Sequence, residues 1–207
     1  MQQSAQRFLL LYLLLTASAA ASVWAYRLGW EHRAYGQAST SSAITTHAFA
    51  DPRTGVAFRY PAGHLVEVID RSTPQRLHYQ IVVAPDTDEY RALKAGMLPG
   101  REWPNLVTID VYDNRFEQVA LADWITKRGE SNWKLGDGAL AETTLGGHLA
   151  YRYRYDGLYR TDAVAAVAYD FVYLFSYGMI SDDDPIRFVA DQVEWTLDIT
   201  MPELLQN

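Results

Sequence analysis

The stretch from Leu149 to Tyr177 constrains this chain more than any other feature of it. Leu149, Tyr151, Tyr153 and Tyr155 fall at every second position, so they share one face of a strand. Asp156-Gly157 follows as a two-residue hairpin signal. A partner strand runs from about Tyr159 to Val167, Tyr169-Asp170 turns the chain again, and Phe171 to Tyr177 gives a third strand. Strands joined by turns this short pair antiparallel, because a parallel return needs a dozen residues or more.

The rest of the chain extends that pattern. Val56, Phe58 and Tyr60 alternate with polar or small neighbours until Pro61-Ala62-Gly63 breaks the run. Leu65 to Ile69 forms a second short strand, and Leu77, Tyr79, Ile81 and Val83 a third. A short helix fits Asp86 to Met97, with Asp86 or Asp88 as its cap. Val107, Ile109 and Val111 define another strand. Leu121, Trp124, Ile125 and Arg128 stand at helical spacing, and Gly129 closes that run. Ala139 to Leu145 reads as a strand turned by Gly146-Gly147. Asp184-Pro185 opens a helix carrying Ile186, Val189 and Val193 on one stripe. At Trp195 the period changes to two, so Trp195, Leu197 and Ile199 predict a closing strand. The fold class is therefore α/β of the α+β type, a mostly antiparallel sheet with helices packed on it.

Ahead of this body lie Phe8 to Ala25, 18 residues without a charge. At 1.5 Å per residue that length just spans a bilayer core. Trp24, Tyr26 and Trp30 follow where an interfacial aromatic belt would sit. A cleaved signal peptide is the competing reading, with small-residue sites at Ala17-Ser18-Ala19 or Val23-Trp24-Ala25. The expected organisation is a signal peptide or anchor over 1–33, a flexible linker of small polar residues over 34–46, and a domain over 47–207. Either reading of the leader puts that domain outside the cytoplasm: at the cell membrane if residues 8–25 anchor it, secreted or periplasmic after cleavage.

The chain has no cysteine, which removes disulfides, thiolate metal sites and a thiol nucleophile. The net charge is −7; three arginines against Glu31 leave residues 1–33 at +2, so the remainder carries −9. An acidic body repels phosphate backbones, so no nucleic-acid partner is expected.

Chemical motifs are sparse. His32, His47, His64, His78 and His148 include no pair at helical metal spacing, and no metal site or cofactor is expected. Asp182-Asp183-Asp184 lacks the glycine-punctuated loop of a calcium site and reads as capping and solvation. Asp110, Asp113 and Glu142 would form a paired-carboxylate site only if folding brought them together. One constellation stands out: Tyr151, Tyr153 and Tyr155, with Tyr159, interleaved with Arg152, Arg154 and Arg160. On an open sheet face it would offer aromatic planes flanked by guanidinium groups to a protein, peptide or glycan partner. The alternative packs the tyrosines beneath a helix and turns the arginines to water.

Several phrases in this order resemble one family. Gly55-Val56-Ala57-Phe58-Arg59-Tyr60-Pro61 is similar to the aromatic-x-aromatic-Pro strand opening PsbP-like domains, which are grouped with Mog1 and the bacterial DcrB-type lipoproteins. Leu121-Ala122-Asp123-Trp124 resembles their Leu-x-x-Trp helix start, and Leu145 to Tyr151 their Gly-x-x-Ala-aromatic strand. Phe188 through Val193 to Trp195 and Leu197 resembles their closing helix and aromatic strand. Glu194 stands where that family often has serine, and the lipid-modified cysteine of many bacterial members is missing. The resemblance implies an α/β/α sandwich and a binding or assembly factor rather than an enzyme. The expected function is thus a non-enzymatic, membrane-tethered module for a protein or envelope component. An exported hydrolase using carboxylates such as Asp110 and Glu142, or a structural envelope protein, are the rivals.

Overall fold

The computed structural model describes residues 45–203. The leader over 8–25 and most of the linker lie outside that range. Among the described residues no helix is long and apolar enough to cross a membrane.

Among the described residues ten strands form two sheets. The larger has seven, all antiparallel, in the order β3 (His64–Asp70), β4 (His78–Pro85), β5 (Val107–Asp113), β9 (Phe171–Met179), β8 (Arg160–Ala168), β7 (His148–Asp156) and β6 (Ala141–Leu145). The expected meander is there, with Tyr169 and Asp170 both at positive φ as a tight hairpin turn requires. Asp156 pairs with Arg160, so the first hairpin loop has three residues rather than two.

The smaller sheet was not anticipated. In it β2 (Val56–Pro61) lies between β1 (Thr46–Asp51) and β10 (Asp198–Ile199). Strand β1 shows no clean apolar alternation: only Asp51 is buried, and His47, Ala48 and Ala50 are exposed. Its pairing with β2 places it, and its own composition does not. The closing strand shrinks to Asp198–Ile199 because helix α3 (Ile186–Thr196) continues through Trp195. Trp195 is therefore helical and 89% exposed, where alternation predicted a strand residue.

The large sheet is covered on both faces, which is the expected α/β/α layering with the small sheet added to one side. On the first face α3 and β2 pack over Val107, Ile109, Val111, Phe171, Tyr173 and Phe175, all fully buried. The buried Tyr173 hydroxyl donates to the Thr54 carbonyl at 3.0 Å and pins the β1–β2 turn to that face. On the second face α2 (Leu121–Lys127) sets Trp124 and Ile125 against Tyr112, Tyr153, Ala163, Ala165, Val172 and Leu174. Two short 3-10 turns, Gly129–Ser131 and Trp133–Leu135, follow α2. Helix α1 (Asp88–Lys94) brings Tyr90 over Val82 and Ala84. Its cap is Thr87, whose hydroxyl accepts from the Tyr90 amide at 3.1 Å, in place of Asp86 or Asp88. Asp86 and Asp88 instead hold Arg91.

Asp184 works as expected at the start of α3. Its carboxylate accepts from the Ile186 and Ile180 amides, each at 3.0 Å, and from the Asn105 side chain at 2.7 Å. Asp184→Ala removes all three, with an expected loss of about 1–2 kcal/mol in chemical unfolding. A loss within error would show that the three donors find water at no cost.

Candidate functional site

The tyrosine–arginine constellation does not form one open face. Alternation sends its tyrosines and arginines to opposite sides of β7. Tyr153 is buried, its ring meeting Trp133 edge-on at 5.7 Å and its hydroxyl donating to the Ser131 carbonyl at 2.8 Å. Tyr151 and Tyr155 are half-buried in the same cluster. The tyrosines thus floor the segment over 121–135. The two arginines of β7 point toward the α3 side, where both are paired, while Arg160 opens β8 and meets Asp182. Arg154 meets Asp162 across the strand pair at 2.5 Å, and Arg152 meets Glu194 of α3. Tyr153→Ala is expected to cost about 3–5 kcal/mol in chemical unfolding, the range for deleting a large buried ring. A near-neutral result would mean that Tyr153 does not support the fold.

The carboxylate pair is not assembled. Asp110 on β5 and Glu142 on β6 are separated by three intervening strands, about 19 Å at the usual strand spacing. Asp113 sits on the other face of β5 and is bound by Arg115 at 2.6 Å. Asp110 has a different partner, which sequence reading treated separately: the His78 Nε2 atom at 2.7 Å, with the Gln80 amide donating at 3.1 Å. His78 stacks on Tyr112 at 4.3 Å, and the Arg76 guanidinium lies 4.8 Å from that ring's centre. Cross-strand register explains the cluster, since Gln80 faces Asp110 and His78 faces Tyr112 on adjacent strands. The Ser72 hydroxyl accepts from the His78 backbone amide at 3.1 Å, and among the described residues the His78 ring itself hydrogen-bonds Asp110. The cluster is a satisfied polar patch near the rim of α2. The described residues hold no cluster of three or more potential metal ligands.

A groove of about 500 Å³ lies elsewhere, between the C-terminal half of α3 and the β6–β7 hairpin. Thr143, Thr144, Asp191, Glu194, Trp195 and Leu197 line it. Its floor depends on Gly146, at φ +55, where an added Cβ would fall 2.6 Å from the Ile199 side chain. Strand β6 forms one wall and pairs with β7 alone, leaving its outer edge open among the described residues; Ala141, Glu142 and Thr144 are exposed. Asp191 makes no ion pair among the described residues. Burial pushes the Glu194 carboxyl above the usual glutamate range, against the pull of Arg152. The folded protein therefore holds this proton more tightly than the unfolded chain. The corresponding stability is present at low pH and is lost as pH rises from the ordinary glutamate range through the raised value. Glu194→Gln is expected to abolish that loss, measured as denaturation midpoints across the acid range. An unchanged pH profile would place the titration elsewhere.

No family model matches the chain, and no curated protein does. Among solved structures it is similar to the solution structure of cyanobacterial PsbP from Synechocystis sp. PCC 6803. The identity is 11% and the TM-score 0.47, covering 80% of this chain and 99% of that one. This neighbour stands in the PsbP branch of the resemblance drawn from the sequence. No residue role comes across from it. Sequence reading missed the groove because its walls come from β6 and α3, about 50 residues apart. The one available signal was the indole at Trp195, which alternation assigned to a strand.

Proposed function

We propose that this chain is a non-enzymatic binding module, tethered outside the cytoplasm by residues 8–25, that takes an extended segment of a protein partner in the groove beside β6. The observation that carries this reading is Trp195. A large indole left 89% exposed at the mouth of a groove, beside an open strand edge, is apolar surface without an internal partner. An extended peptide can use the free backbone groups of an edge strand and place alternate side chains into the adjoining groove. Asp191, which makes no ion pair among the described residues, sets the charge preference, while Glu194 is already held by Arg152. It favours a segment with a lysine or arginine, whose cation would also lie over the indole face. The uncombined positions of Asp110 and Glu142 give the hydrolase alternative no support.

Random peptides displayed on phage and panned against the full chain are expected to enrich extended sequences carrying a basic residue. Trp195→Ala is expected to weaken the enriched peptides about tenfold, or about 1.4 kcal/mol, with the melting temperature unchanged. Phe116→Ala, at a side chain 90% exposed outside the groove, serves as the control. Enrichment that survives Trp195→Ala intact, or that never appears, would sink the groove as a docking site.

A further inference from the structure

We infer that the domain rests one end of its sheet on the lipid surface, through Trp103, Leu158 and Ile180. This inference builds on the tethered reading above but comes from different residues. Register places one row of the large sheet at that end. His64 pairs with Pro85, Met179 with Arg160, and Arg160 with Asp156. The connections leaving that row carry the three apolar side chains: Leu158 in the β7–β8 loop at 81% exposure, Ile180 just after β9 at 74%, and Trp103 in the segment leading to β5 at 51%.

Contacts tie these connections together. The Tyr159 hydroxyl donates to Glu102 at 2.7 Å, Asn105 donates to Asp184 at 2.7 Å, and Arg160 meets Asp182. The three apolar groups therefore project from one braced rim rather than from three independent loops. From β3 to β7 the end of the sheet is about 24 Å wide, five strand spacings.

Where the chain enters selects the occupant. The Ala62 amide donates to the Thr45 carbonyl at 2.9 Å, and the Asp86 amide to the Gly63 carbonyl at 2.8 Å. The first described residue thus sits at the same end as the row above. The 44 residues before it include the uncharged run Phe8–Ala25. A membrane-held leader would be joined to the domain at this end. Tethering raises the local concentration of the rim at the bilayer to the millimolar range, so a weak contact suffices. The charge balance fixes what kind of contact it is. Glu102, Asp182 and Asp183 stand around the rim, against Arg101 and Arg160, and Arg160 is already engaged by Asp182. Such a surface gains nothing from anionic headgroups, so insertion is apolar and proceeds on uncharged lipid. The groove lies at the opposite end of β7, beside the Gly146-Gly147 turn, and so faces away from the bilayer.

Because the natural chain has no cysteine, single-site labelling of the full-length protein is direct. Leu158→Cys, Ile180→Cys and, as a control at the other end, Phe116→Cys would each carry an environment-sensitive fluorophore. The proteins are reconstituted with phosphatidylcholine vesicles containing a nitroxide lipid. Labels at 158 and 180 are expected to shift to the blue and lose most of their emission to the nitroxide, while the label at 116 keeps the spectrum it has in buffer. Substituting phosphatidylglycerol for part of the lipid is expected to leave the quenching unchanged or reduce it. Chains that float with the vesicles while the labels at 158 and 180 stay aqueous would overturn the rim contact and leave the tether standing. Quenching at 116 in place of 158 and 180 would reverse the orientation and overturn it equally. Chains that fail to float would overturn the tether and the rim together.

Discussion

Burial of strands β8 and β9 on both faces governs the whole arrangement. From Phe171 to Phe175 every residue is buried, and so is every residue from Thr161 to Ala166. A strand with no solvent face needs a layer on each side of it. That requirement calls α3 and the small sheet to one face and the α2 segment to the other. The alanines of β8 set how closely those layers approach. Ala163 and Ala165 leave room on the second face for the broad rings of Tyr153 and Trp124, while Ala166 and Ala168 sit under the first. Large rings facing small residues across a sheet give interdigitated packing without voids.

The same geometry decides the fate of the polar groups. Strand alternation separates the tyrosines of β7 from its arginines, so a cluster that is contiguous in sequence becomes two unrelated structures. The tyrosine side closes the second core. The arginine side builds a ladder of ion pairs toward α3, through Arg152–Glu194 and Arg154–Asp162, with Tyr177 adding a bond to Asp162 at 3.4 Å. The Tyr177 hydroxyl is pushed up to about 12 by its burial, with Asp162 adding to the rise, so it remains a donor at any ordinary pH.

Much of this was legible from the residues. The meander, the Asp184 cap, the amphipathic stripes of α2 and α3 and the antiparallel sheet all follow from local periodicity and turn chemistry, which act over a few residues. Four features did not. Strand β1 is defined by its partner, because its own side chains are mostly exposed. Trp195 sits where an amphipathic helix ends and a short strand begins, and one exposed indole fits either period. The His78–Asp110 contact and the groove both depend on register between distant strands or on a helix crossing a hairpin. Single-residue patterns carry no record of such pairings. The cap at Thr87 is a smaller case: only the flanking Asp86 and Asp88 were expected to cap, and the ion pairs of Arg91 claim both carboxylates.

The stitching of the small sheet has one more consequence. Strand β10 pairs with β2, the Thr200 amide donates to the Gly55 carbonyl at 2.8 Å, and the Glu203 amide to the Pro52 carbonyl at 2.9 Å. Gly55, at φ +71, has no room for a side chain beneath the Thr200 carbonyl. The last described residues are thereby fastened beside the β1–β2 turn, while Thr45 opens at the far end of the same hairpin, roughly 17–20 Å away at ordinary strand rise. The body thus has a polarity of entrance and exit. A polypeptide spliced after residue 203 would depart from the pole opposite the one at which Thr45 enters.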